Sequence, residues 1–265
     1  MGGVMPAGAR GVDAAWYNPA GLGWVGHREI AGSYQAMVED INQGTFGYAQ
    51  PVGGRFGVAV FASYLDYGNQ DRSTLSTAGA FVTVNRAGSF SAADVAGGLA
   101  IGGRLSENLA GGLALKVINS KLDNASATAF AADLGAVWKL GAEIPVSIGA
   151  VVRNIGTELK YDRVEEKLPF TWQLGARGDF FEERLGINIA CSRTRQDDIQ
   201  LHAGAEVRPF GPILALRVGY DGVNDVGNGL TAGLGVTINA FTLDYAYIPF
   251  EKFGDNHRVG LTYRF

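Results

Sequence analysis

From about residue 28 to its last residue, this chain alternates apolar side chains with polar or small ones at a period of two. The end shows it most strictly. In His257–Phe265, Val259, Leu261, Tyr263 and Phe265 share one parity, and Arg258, Gly260, Thr262 and Arg264 share the other. A strand turns successive side chains to opposite faces, so a chain written this way builds sheet with one apolar and one polar face. The pattern recurs in fourteen segments: 28–38, 43–50, 55–67, 91–105, 109–122, 127–140, 145–154, 170–179, 185–195, 199–208, 212–220, 229–238, 240–248 and 256–265. Segment 55–67 puts Phe56, Val58, Val60 and Tyr64 on one side, and segment 240–248 does the same with Phe241, Leu243, Tyr245 and Tyr247.

A soluble sandwich also alternates, so segment length and connections decide. The segments run near ten residues, longer than the usual strand of about five or six and right for a tilted bilayer crossing. Aromatic residues (Tyr34, Tyr48, Tyr64, Tyr67, Trp138, Trp172, Tyr220, Tyr247, Tyr263) gather toward segment ends, as an interfacial girdle requires. Connections alternate short and long. The short ones are 52–54, 106–108, 141–143, 181–183, 209–211 and the turn at Asn239, and the main long ones are 68–90, 155–169, 221–228 and 249–255. Leu75 to Val84 also reads as strand, but a fifteenth strand would break that alternation, so it is assigned to the loop. No run of about 18 apolar residues exists, which excludes a membrane-spanning helix. Lipid leaves backbone polar groups unsatisfied and an open sheet leaves an edge bare, so the sheet must close. The fold expected is all-β: a closed antiparallel transmembrane β-barrel of 14 strands over 28–265, behind an N-terminal hatch segment, 1–27.

Composition narrows the function. The net charge of -4 argues against a nucleic-acid partner. Cys191 has no second cysteine to pair with. Met1–Val4 has neither a basic start nor an apolar core, so an export signal is expected to be removed or upstream. The polar parity should line a lumen with Asp94, Arg104, Lys116, Asp133, Lys139, Arg153, Arg177, His202, Glu206, Arg217, Asp244, Arg258 and Arg264. These either pair as a structural network or form a basic-leaning surface for a carboxylate. Phe61 and Leu65 break the polar parity of segment 55–67, either packing on the hatch or lining an apolar ligand path. His202 is the one histidine inside a strand, and the sequence shows no serine–histidine–acid set around it, so no enzyme activity is expected. Neither a metal site nor a cofactor is expected. Gly97-Gly98 and Gly102-Gly103 lie inside a strand and are not phosphate loops.

The run Gly8 to Gly23, and above all Asn18-Pro19-Ala20-Gly21-Leu22, resembles the N-terminal segment of FadL-like barrels, especially the PorV/PorQ group. Leu243–Phe250 with Gly254–Arg258, Val152–Gly156, and Leu168-Pro169 resemble the same group. The resemblance implies a fourteen-stranded outer-membrane barrel plugged by a hatch containing Asn18, Pro19 and Ala20. The chain opens close to this run, so the hatch is expected to be partial. The terminal Tyr263 and Phe265 are similar to the signal read by the barrel-assembly machinery. Members of the wider family carry hydrophobic small molecules such as fatty acids and aromatics. PorV-type members serve the type IX secretion system and hold exported proteins by their C-terminal domains. The resemblance thus implies a secretion scaffold binding protein at loops 68–90 and 155–169, with passive hydrophobic transport as the alternative. Outer-membrane lipid is a partner under either.

Overall fold

The computed structural model describes every residue except 1, 4, 79–80, 142–143, 163, 224–226 and 251–253. The expected connections at 141–143, 221–228 and 249–255 therefore lie partly outside the described residues. Alternation becomes β1 (Glu29–Ala36), β2 (Asn42–Val52), β3 (Phe56–Ala78), β4 (Phe81–Arg104), β5 (Leu109–Leu122), β6 (Ala125–Lys139) and β7 (Val146–Gly156). Two short strands follow, β8 (Leu159–Lys160) and β9 (Glu165–Glu166), and then β10 (Thr171–Phe180), β11 (Leu185–Thr194), β12 (Gln200–Val207), β13 (Leu214–Asp221), β14 (Leu230–Ile238), β15 (Phe241–Pro249) and β16 (Asp255–Arg264). All but β8 and β9 form one closed barrel of fourteen antiparallel strands. Closure comes from β1 pairing with β16, in register from Glu29↔Arg264 to Ala36↔His257. Among the described residues no helix is long and apolar enough to cross a membrane.

The apolar parity faces outward. Leu99 is 67% exposed and Leu201 65%, and Phe130, Ile189, Leu243 and Leu261 join them. Such a surface is stable against hydrocarbon and not against water. Tyr67 departs from the expected girdle, because its hydroxyl donates to Asp94 (2.8 Å) instead of pointing to lipid.

The region 68–90 also corrects the sequence reading. It is two strands, not a loop, because β3 and β4 continue past the rim as one ribbon and pair Leu75 with Val84. The strand-like stretch is the far end of an existing hairpin, so the strand count stays at fourteen. Among the described residues neither outer edge of this ribbon has a strand partner beyond Asp66, since β2 ends its pairing with β3 at Asn42 and β5 begins its pairing with β4 at Ala92, although Ser91 still accepts from Asp123 N–H (3.0 Å).

The described residues from Gly2 to Trp24 lie inside the barrel. They form 3-10 turns at Gly11–Asp13 and Pro19–Trp24 with one helical turn, Ala14–Tyr17, between them. Pro19 suits the first position of its turn because it lacks the N–H that would go unbonded. Asn18 caps that turn by accepting from Ala20 N–H (3.1 Å). Its Nδ2 donates to the carbonyls of Pro6 (2.6 Å), Ala136 (3.2 Å) and Ala150 (3.3 Å), tying the hatch to the wall. The wall leaves room for it. A Cβ at Gly135 would overlap Asn18, one at Gly112 would overlap Pro19 and Ala20, and one at Gly149 would overlap Pro6. Val12, Ala14, Ala15 and Leu22 then bury against Ala49, Ala59, Phe61, Ala100 and Ala114.

Candidate lumen site

Between the hatch and wall strands β10, β12 to β16, β1 and β2 lies a cavity of about 550 Å³. Met5, Val12, Trp16 and Tyr17 give its hatch side apolar surface, while Arg217, Asp244 and Arg258 charge its wall side. Inward parity and register build the charged ladder. Glu206 and Arg217 are direct partners across β12 and β13. Arg217 Nε donates to Glu206 Oε2 (2.6 Å), and its Nη1 donates to Asp244 Oδ1 (2.5 Å). Arg177 Nη2 lies 2.7 Å from Asp179 and 3.4 Å from Glu206, and Arg208 Nη2 lies 2.9 Å from Glu206. Arg10 extends the ladder onto the hatch through Asp179 (3.2 Å). Two of these contacts reach across an intervening strand, and each passes over a glycine. A Cβ at Gly186 would sit 2.6 Å from Arg177 Nη2, and one at Gly235 would sit 2.6 Å from Asp244 Oδ1. Within this ladder each guanidinium has a carboxylate.

Arg258 is different. Its Nε and Nη2 both donate to Ser33 Oγ (3.2 and 2.9 Å). Among the described residues no carboxylate lies within ion-pair distance of it. Asp13 also faces this cavity. Although its side chain opens on the lumen, enclosure within the barrel pushes the carboxyl up to about 6. The Arg258 charge opposes that rise, and Glu29 and Asp244 add to it.

The other expected lumen residues do not join this ladder. Lys116 Nζ pairs with Asp133 Oδ1 (2.7 Å) and donates to Asn154 Oδ1 (2.6 Å). Here the β6–β7 register shifts, and Asn154 takes a positive φ of 60° so that its N–H donates to Asp133 (2.8 Å). Arg153 donates to the Trp16 carbonyl (3.3 Å) and Arg104 to that of Gly54, while the Nε of each finds no partner. Asp94 takes the Tyr67 hydroxyl. Phe61 is 2% exposed and meets Trp16 edge-on at 4.6 Å. Leu65 is half-buried opposite Asp94. Neither lines the cavity, and β3 pairs without a gap on both sides from Phe56 to Asp66. Tyr263 packs on Phe241 (4.6 Å) and Phe265 (5.4 Å) at the seam.

One arrangement was not visible along the sequence. A serine–histidine–acid set exists, with Ser192 Oγ 2.8 Å from His202 Nε2 and His202 Nδ1 3.2 Å from Asp221 Oδ1. Parity was the available signal for Ser192 and His202. Ser192, His202 and Asp221 are all inward positions near the loop-side ends of consecutive strands, and only the register across two hairpins makes them neighbours. Asp179, Glu29 and Ser33 were missed for the same reason.

No protein-family model matches the chain, and no curated protein sequence matches it. Solved structures do. The toluene transporter TbuX of Ralstonia pickettii superposes with a TM-score of 0.71 at 13% identity, over 100% of this chain and 96% of that one. The toluene transporter TodX of Pseudomonas putida gives 0.69 at 11% identity, over 100% and 98%. A FadL homologue of Pseudomonas aeruginosa gives 0.60 at 12%, over 99% and 95%. The fold is that of the FadL-like barrels. The FadL-like fold covers the hatch as well as the fourteen strands, since the matches run essentially end to end. At these identities, what is shared is the FadL-like backbone. The lumen chemistry has to be read from this chain's own side chains.

Proposed function

We propose that this protein is an outer-membrane channel for small hydrophobic molecules that carry an acidic head group. The observation that carries this reading is the two-sided cavity. Ligand sites are typically concave and largely apolar, with a few placed polar groups. Met5, Trp16 and Tyr17 offer surface for an aliphatic or aromatic body, and Arg258 offers a guanidinium with no carboxylate of its own. Solved structures of the same fold include toluene transporters and a monoaromatic hydrocarbon channel, which supports transport as the activity class. The apolar exterior supports the outer membrane as its place and membrane lipid as its constant partner. Tyr263 and Phe265 are the proposed signal to the assembly machinery. The ladder residues Arg177, Glu206, Arg217 and Asp244 hold the wall rigid around the cavity. Passage requires the hatch to shift, because Asn18 bonds it to two strands of the wall.

A second reading has its own observation. The β3–β4 ribbon rises clear of the rim with no strand partner on either edge among the described residues, a surface suited to a protein partner, as in a PorV-like secretion scaffold.

Calorimetric titration of the detergent-purified protein with dodecanoate and with toluene tests the channel reading. Both should bind. Arg258→Ala should weaken dodecanoate roughly tenfold to a hundredfold, the worth of a charge-assisted hydrogen bond of about 1.5–3 kcal/mol, and leave toluene unchanged. Binding of neither probe would sink the channel reading. A secreted protein held on the ribbon would favour the scaffold.

A further inference from the structure

The lumen reading makes no use of Ser192, His202 and Asp221, which come from β11, β12 and β13. Ser192 is 3% exposed and His202 2%. On the Nδ1 side of His202 lie two acceptors, the Gly2 carbonyl oxygen at 3.0 Å and Asp221 Oδ1 at 3.2 Å. Two acceptors there place the ring proton on Nδ1. Nε2 is then left with its lone pair toward the Ser192 hydroxyl at 2.8 Å. A purely structural hydrogen bond needs only the serine and the ring. The carboxylate behind the ring is what stabilises an imidazolium once the ring takes up the serine proton.

Two more features converge on this point. Gln173 lies directly opposite Ser192 across β10 and β11. Its side chain points inward with the residue 4% exposed, and its Oε1 has no partner. The unbonded atom is an acceptor, able to hold a water beside the serine. Asp221 and Gly3 border the lumen cavity, so a molecule in that cavity reaches the acid end of the set. What lies over His202 and Asp221 is the chain's own Gly2 and Gly3, which carry no side chains. A Cβ at Gly3 would stand 2.7 Å from Asp221 Oδ2.

We propose that Ser192, His202 and Asp221 form a nucleophilic triad that cleaves small carboxylic esters admitted through the lumen cavity once the Gly2 carbonyl moves off His202. Ser192 Oγ bonds to the acyl carbon as its proton passes to His202 Nε2 and the carbonyl electron pair moves onto oxygen. The imidazolium then protonates the leaving alkoxide as the ester C–O bond breaks, and the alcohol departs. Water attacks the acyl-serine and gives a proton to His202. The acid is released, and Ser192 recovers its proton. The set opens on the same cavity as Arg258, but its chemistry does not depend on what Arg258 binds, so it neither requires nor supports the channel reading.

The test uses the full-length protein in detergent micelles and an alkyl fluorophosphonate. The reagent forms a P–O bond with Ser192 and loses fluoride while the serine proton goes to His202. Peptide mass spectrometry should place the adduct on Ser192, and Ser192→Ala should carry none there. His202→Gln and Asp221→Asn should slow adduct formation on the order of a hundredfold or more. A heat-dependent gel shift confirms that each variant is a closed barrel. A folded wild type with no Ser192 adduct after prolonged exposure at mildly alkaline pH overturns the proposal. So does an adduct rate unchanged in both His202→Gln and Asp221→Asn, since a serine that reacts without its partners is not a triad.

Discussion

Asn18 shows how much a single side chain decides here. One carboxamide caps a turn, holds Pro6 and bonds two strands of the wall, and Gly135 is the position that gives it room. Asn18→Ala should leave the Ala20 N–H and the Pro6 carbonyl buried and unbonded, at a cost of about 1–3 kcal/mol each where water cannot replace the bond. Faster trypsin cleavage after Arg10 would reveal a loosened hatch, while the barrel's heat-dependent gel shift stays as in the wild type. Equal cleavage rates would mean that the hatch is held by apolar packing alone. Phe61 belongs to that packing. Its inward parity was legible in the sequence. Its partner Trp16, 45 residues earlier in the chain, was not.

At the scale of the element, the β3–β4 hairpin is the clearest departure from a minimal barrel. Within the wall its side chains pack on hatch or face lipid. Above the rim they meet mostly solvent, as Leu75 at 73% exposure shows. A hairpin of that kind adds little to the stability of what it stands on. Replacing residues 70–88 by a short Gly-Ser turn should therefore change the barrel's stability by no more than about 1 kcal/mol, because closure entropy varies only slowly with loop length. Equilibrium urea unfolding in micelles measures this directly. A larger loss would show that the ribbon folds back on other loops. The β7–β10 connection behaves differently. It turns inward through Leu168, 5% exposed against Ala129 and Ala131, and a Lys160–Glu165 pair (2.9 Å) joins its two short strands. A single apolar residue in a connection has no alternation to give it a face, so its inward turn was not legible in the sequence.

Across the whole molecule, the lumen is a balanced ion-pair ladder beside an unbalanced arginine. Asp13 tunes that balance. Docking the hatch raises its carboxyl from 3.8 to about 6, so the docked hatch holds a proton that a free hatch would release. Docking is thus strongest at acid pH and weakens as pH climbs through that interval, with no further change from this group above it. The ionised Asp13 also offsets Arg258. Binding of p-toluenesulfonate, an aromatic anion that does not itself titrate there, should tighten severalfold from pH 7 to pH 5. Asp13→Asn should bind at pH 7 as tightly as the wild type does at pH 5. A wild-type affinity independent of pH would remove Asp13 from the site.

Alternation is a local property, and it sufficed for the fourteen strands, the closed barrel, and which residues face lipid or lumen, including Arg177, Glu206, Arg217 and Asp244 of the ladder. It also set the parity of Ser192, while Asp221 fell in the connection 221–228 and gained its inward place only from the structure. It could not say which inward residues meet. That depends on register across hairpins and on glycines such as Gly186 and Gly235, which let side chains reach past a strand. Nor could it separate an extra strand from a hairpin running past the rim, since both read as the same alternation. The tertiary structure alone split one apparent lumen network into a paired ladder, a lone arginine and a serine–histidine–aspartate set, because electrostatics and hydrogen bonding act over a few ångströms between residues far apart in the chain.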